Sequence, residues 1–139
     1  AAESGMAGGV SGVQDTRLVG TLAFVDPEYL RTGQFSPRSD TYALGVMMLQ
    51  LLTGQDGSQV VALVEGARND GDGGRFTQVL DRRAGAWPAA EAMAFADMAL
   101  KCVEMRRQDR PDLRSVVLPA LLQLRQRTTL YPRADSTGG

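Results

Sequence analysis

Between Ser36 and Gly54 lies the stretch that most limits how this chain can fold: a serine and a proline open it, a glycine closes it, and apolar residues fill most of what lies between. Tyr42, Val46, Leu49 and Leu52 recur at helical spacing, while Ala43, Leu44, Met47, Met48 and Leu51 occupy the remaining circumference. Ser36 or Ser39 can cap such a helix, and Pro37 suits its first turn. A helix that is apolar round most of its girth is expected to be buried on nearly all sides, as the spine of its domain. Its apolar run, Tyr42 to Leu52, is well short of the ~20 residues that cross a bilayer, so no membrane span is expected.

The rest of the chain reads as shorter helices around that spine. Val60 to Arg68 is a helical segment, which Asn69-Asp70-Gly71-Asp72-Gly73-Gly74 then breaks. Phe76 to Leu80 adds one more turn. Pro88 opens a third strong helix, expected to run to Met105, with Ala92, Phe95, Ala96, Ala99, Leu100 and Val103 on one stripe and Glu91 near its positive end. Pro111 and Asp112 start a last helix through Val116, Val117, Leu121 and Leu124, which Pro119 should kink. Residues 1–20, rich in Gly, Ser and Ala, read as a mobile loop, and residues 128–139 as a disordered tail. No strand is convincing, so the predicted class is all-α, in one domain over residues 1–127.

With 139 residues and 43% hydrophobic content, the chain can build one real core but not two lobes. Fifteen basic against sixteen acidic side chains give no electrostatic case for nucleic acid or an anionic membrane. A single cysteine, Cys102, allows no internal disulfide, and a reducing, cytoplasmic setting is the expectation. Cys102, beside Val103, reads as a small core residue rather than a nucleophile. No histidine is present, so a zinc site lacks ligands. The turn at Asp70 hints at a calcium loop, but Gly74, Arg75 and Asp81 stand where a third oxygen ligand, a glycine and a bidentate Glu belong.

Three ordered motifs then carry a resemblance. They are Val19-Gly20-Thr21 with Asp26-Pro27-Glu28-Tyr29; Ser39-Asp40-Thr41-Tyr42-Ala43-Leu44-Gly45; and Arg106-Arg107-Gln108-Asp109-Arg110-Pro111-Asp112-Leu113. Over roughly residues 16–125 the chain resembles the C-terminal, helical lobe of a plant Ser/Thr protein kinase of the receptor-like and receptor-like cytoplasmic group. The run from Ala99 to Leu121 further resembles plant kinases that carry a U-box ubiquitin-ligase domain after the kinase domain.

The resemblance implies roles for particular residues. Asp26-Pro27-Glu28 stands where kinases have Ala-Pro-Glu, so Glu28 is expected to form a buried ion pair with Arg110. Thr21 matches the threonine that favours hydroxyl substrates, and Leu22, Ala23 and Phe24 are expected to shape the wall beside a protein substrate. Phe24 replaces a more usual Tyr and so lacks its hydroxyl. Asp40 either caps the long helix and faces its dipole or, as in related kinases, holds the catalytic loop. Gly45, costly inside a helix by about 1 kcal/mol, implies a second backbone packed close to it. Thr16 is the first candidate phosphosite, followed by Ser11 and Ser4.

Phosphoryl transfer also needs a Gly-rich cover, a strand lysine, a catalytic-loop Asp with its Asn, and a metal-binding Asp. None can be assigned here: the only Lys is Lys101 in a late helix and the only Asn is Asn69 in a turn. Gly5, Gly8, Gly9 and Gly12 do not have the spacing of a phosphate-cradling loop. The family uses ATP and Mg, yet this chain is expected to bind no cofactor and no metal and to have no catalytic residue of its own. Two functional classes follow. One is part of a Ser/Thr kinase acting on a protein substrate or partner kinase, with a ubiquitin-conjugating enzyme recruited through a U-box that is absent here. The other is a non-catalytic helical interaction module, for which exposed apolar surface supplies the motive.

Overall fold

In a computed structural model, which describes residues 22–57, 59–71 and 73–128, the long apolar stretch is the central helix. The expected N-terminal loop and the tail beyond residue 128 lie outside the described residues. Short helix α1 (Pro27–Thr32) precedes the spine α2 (Pro37–Thr53), and α3 (Val60–Arg68), α4 (Gly74–Val79) and α5 (Ala89–Cys102) follow. A π-turn (Leu113–Val117) leads into α6 (Leu118–Thr128), and no strand occurs among the described residues. The all-α expectation is therefore met.

Both ends of α2 are closed as its sequence suggests. Ser36 accepts the Arg38 N–H at 3.1 Å, and Ser39 Oγ accepts the Ser36 N–H at 3.2 Å, which gives a reciprocal capping box. At the other end Gly54 takes the left-handed conformation (φ 67°) and donates to the Gln50 carbonyl. Along the helix, Val46, Met48, Leu49 and Leu52 are buried with Val60, Val64, Phe76, Ala96 and Ala99 in one core. Leu49 and Leu52 are wholly enclosed, and burial of this kind contributes about 1.5–3 kcal/mol per side chain.

The expectation of burial on nearly all sides needs correcting. Met47 and Leu51 remain 49% and 65% exposed. They lie one turn apart on α2, on a face that neither α3 nor α5 covers. The neighbours approach the flank of Gly45, Val46, Leu49 and Leu52 instead.

That approach is closest at Gly45. A Cβ there meets Cys102 Cβ and Val103 Cγ1 at 2.7 Å and the Ala99 carbonyl oxygen at 2.9 Å. Hence α5 lies against bare α2 backbone, with Cys102 completely buried in the seam and its thiol pushed up to about 11 by that burial. Helix α3 is tied to α5 by Arg68, whose Nε and Nη2 donate to Asp97 at 2.7 and 2.8 Å while its guanidinium lies over the Phe76 ring.

Two helices end differently from their sequence signals. Helix α5 stops at Cys102 rather than Met105: Val103 leaves the helical conformation (φ -99°, ψ 17°), and the carbonyls of Glu104 and Met105 beyond it accept from the Arg110 guanidinium at 2.7 and 3.2 Å. The last helix is interrupted where Pro119 lacks an N–H to donate one turn back. The interruption takes the form of a π-turn: Val117 donates to Asp112, and Leu118 to Leu113, each five residues back.

Two glycines in helix interiors separate packing from propensity. Gly45→Ala is expected to destabilise by about 1–3 kcal/mol through overpacking against Cys102 and Val103. Gly66→Ala in α3, where a Cβ meets open space, is expected to stabilise by about 0.5–1 kcal/mol. Urea denaturation of the two variants measures both effects, and equal shifts contradict the packing account.

Candidate functional site

Residue Asp26 begins as a local cap. Its Oδ1 accepts the Glu28 N–H at 2.9 Å and so starts α1, with Pro27 in the first turn. The same carboxylate is wholly buried and accepts three further hydrogen bonds. Arg110 Nη2 donates to Oδ1 at 2.7 Å; Arg107 Nε and Ser39 Oγ each donate to Oδ2 at 2.7 Å. Each oxygen thus takes two donors, and no buried side-chain polar atom among the described residues is left unsatisfied.

The arginines are held as firmly as the acid. Arg110, also fully buried, donates to the carbonyls of Glu104, Arg38 and Met105 besides Asp26, and its guanidinium lies 5.0 Å from the centre of the Tyr42 ring. Its own carbonyl accepts from Arg38 Nη1, so Arg38 and Arg110 exchange donors. Arg107 reaches the Gln34 carbonyl and Ser39 Oγ with its Nη2. One buried knot therefore joins the start of α1, the first turn of α2 and the loop between α5 and the π-turn.

The expected Glu28–Arg110 pair is corrected by this geometry. Glu28 instead faces Arg107 at 3.5 Å and Arg31 at 4.0 Å, at the partly exposed rim. Asp26 takes the buried partner, its short side chain fixed over the α1 N-terminus by the Glu28 N–H, whereas the Glu28 side chain is itself 24% exposed. Sequence reasoning named the right arginine and the wrong acid. The buried capping role of Asp26, before proline at a helix start, was the signal available for it.

Of the other expected residues, Asp40 lies exposed in the first turn of α2, near the positive end of the helix dipole, with Ser36 as the cap. Ala23 is buried, Phe24 is half-buried against the core, and Leu22 is exposed. A backbone bond from Val25 to Leu22 at 3.1 Å curls this segment just before Asp26. Thr21, Thr16, Ser11 and Ser4 lie outside the described residues. Among the described residues no cluster of three or more His, Cys, Asp or Glu can hold a metal, and no helix is long and apolar enough to cross a membrane.

Burial alone pushes the Asp26 carboxyl up, but the hydrogen bonds from Arg110, Ser39, Arg107 and the Glu28 N–H outweigh it and hold it well below its ordinary value of 3.8. A carboxylate depressed in this way contributes stability that is complete above the unfolded value and is lost as pH falls toward the folded one. The Asp26 contribution is expected to persist from neutral pH to about pH 4 and to fade only below it. The difference in urea midpoint between the natural chain and Asp26→Asn, followed with pH, tests this. Separately, Asp26→Ala or Arg110→Ala is expected to cost about 3–5 kcal/mol by stranding the partner charge, and Glu28→Ala at most about 1 kcal/mol. A double-mutant cycle should show coupling between Asp26 and Arg110; stronger coupling between Glu28 and Arg110 contradicts the assignment.

Comparison with known proteins places this arrangement. No protein-family model matches the chain. Over 113 residues it is 47% identical to U-box domain-containing protein 52 of Arabidopsis thaliana, covering 81% of this chain and 13% of that protein. Identity is 37% over 117 residues with U-box domain-containing protein 70 of Oryza sativa subsp. japonica, covering 84% and 14%. Identity is 35% with wall-associated receptor kinase-like 17 of Arabidopsis thaliana, covering 73% and 14%. The chain thus spans about one seventh of the length of these curated relatives. Among solved structures it is similar to the pseudokinase domain of BIR2, an immune regulator of the RLK/Pelle family, with TM-score 0.66 and 28% identity, covering 76% of this chain and 34% of that one. The helices around α2 are accordingly those of a kinase-like domain, and the chain is a kinase-like region homologous to plant U-box domain-containing proteins and to a plant receptor-like kinase.

Proposed function

We propose that this chain is the substrate-presenting part of a Ser/Thr protein kinase domain, positioning protein substrate without itself transferring phosphate. The observation that carries this reading is the buried Asp26 carboxylate. It pins the end of the segment containing Leu22, Ala23 and Phe24 onto α2 and onto Arg110, so the surface beside a substrate hydroxyl is rigid before anything binds. The nucleotide lysine, the catalytic-loop acid and the metal-binding acid have no counterpart in this sequence. ATP and Mg, and the chemistry they supply, belong in this reading to the larger kinase domain, acting in the cytoplasm. The names of the relatives support a U-box in a longer protein, and with it a ubiquitin-conjugating enzyme as partner.

A second reading, a non-catalytic interaction module, is favoured by one further observation. Met47 and Leu51 on α2 are exposed, and the similar solved domain is described as a pseudokinase. Both readings expect no turnover from the purified chain. In a coupled assay with Mg-ATP and a generic Ser/Thr protein substrate, ADP release is expected to stay at background. Turnover by the purified chain contradicts the proposal.

A further inference from the structure

Apart from the Asp26 knot, the ends of α2, α3 and α4 and the short 3-10 turn at Arg82–Ala84 enclose an open groove. One part of it, about 670 Å³, is lined by Gly54, Gln55, Leu63, Val79 and Arg82, among others. It continues into a second hollow of about 610 Å³, which shares Gln55 and Leu63 and reaches Asp56. The groove is preformed. The Asp81 N–H donates to the Leu52 carbonyl at 2.9 Å, Trp87 Nε1 donates to the Asp81 carbonyl at 2.8 Å, and Arg83 Nε donates to Asp81 Oδ1 at 3.0 Å. These bonds fix one wall against the C-terminal end of α2.

The chemistry along the groove is ordered. Arg82, at one end, stands beside the mutually paired Asp81 and Arg83, which line the same part of the groove, and is itself exposed with no ion pair among the described residues. Leu63, in the middle, is 41% exposed although its helix neighbours Val60 and Val64 are buried. Asp56, at the other end, is likewise exposed and unpaired. A cation, an apolar contact and an anion in sequence complement an extended polypeptide, in which the side chains of one face recur every ~6.6 Å, at alternate residues. The groove is too open to enclose most of a small molecule, as ligand pockets usually do. Opposite charges at its two ends set the direction in which a strand lies.

We propose that this groove docks an extended segment of a partner protein carrying an acidic residue for Arg82, a bulky apolar residue for Leu63 and a basic residue for Asp56. The proposal does not depend on phosphate transfer by this chain or by any larger domain.

Peptide display against the purified 139-residue chain tests it, followed by fluorescence anisotropy of the enriched peptide. The expected peptide carries acid, apolar and base in that order. Leu63→Ser is expected to weaken its binding about tenfold, and Arg82→Glu about fivefold. A peptide with its acid changed to lysine should recover binding to the Arg82→Glu variant. Both substituted residues are exposed, and unchanged thermal melting confirms that the variants fold. The proposal is overturned if no peptide is enriched, or if the enriched peptide binds both variants as well as the natural chain. Concentration-dependent self-association that Leu63→Ser abolishes also overturns it, because the occupant is then a second copy.

Discussion

The Asp26 carboxylate has two oxygens and four donors, and those donors come from three segments of the chain: the Glu28 backbone in α1, Ser39 on α2, and Arg107 and Arg110 beyond α5. A charge wholly removed from water is tolerated only when its lone pairs are filled and an opposite charge lies close. Asp26 meets both conditions, and so does Arg110, which is equally buried and spreads its remaining donors over three carbonyls. Neither group can be moved alone without stranding the other. The path of the chain before α1, the first turn of α2 and the exit from α5 are therefore constrained together.

Other features follow from that constraint. Beyond the end of helix α5 the chain turns so that the carbonyls of Glu104 and Met105 accept from Arg110. The rest of the domain is held by different means: bare backbone at Gly45 lets α5 seat on α2, and Arg68 bridges α3 to Asp97. A polar knot at the start of α2 and a close apolar seam along it leave one α2 face, with Met47 and Leu51, outside the core.

Much of the fold was legible in local chemistry. The Ser36 cap and the Gly54 stop bound α2 where their residue types suggest, and Val60–Arg68 forms the expected helix. Where a kink at Pro119 was expected, the last helix carries a π-turn over the preceding Leu113–Val117, and Pro119 lies in the first turn of α6. The site was only partly legible. Arg110 was recognisable as a buried partner before Pro111, but its acid was assigned to Glu28. Two carboxylates two residues apart cannot be distinguished by spacing alone when the choice depends on which one points inward from a helix cap. Arg107 and Ser39 were missed for a related reason: a surface-type Arg and a capping Ser carry no mark of a shared buried partner, Asp26, that lies 81 and 13 residues away.

By itself the sequence determined the all-α class, the limits of the spine helix and the kinase-like character, because these rest on periodicity, capping residues and ordered motifs that act over a few neighbouring positions. Tertiary structure alone decided which acid meets Arg110, where α5 ends, and which face of α2 stays open. Those outcomes depend on how separated segments satisfy a single buried carboxylate and pack against a single glycine, and no local pattern contains that information.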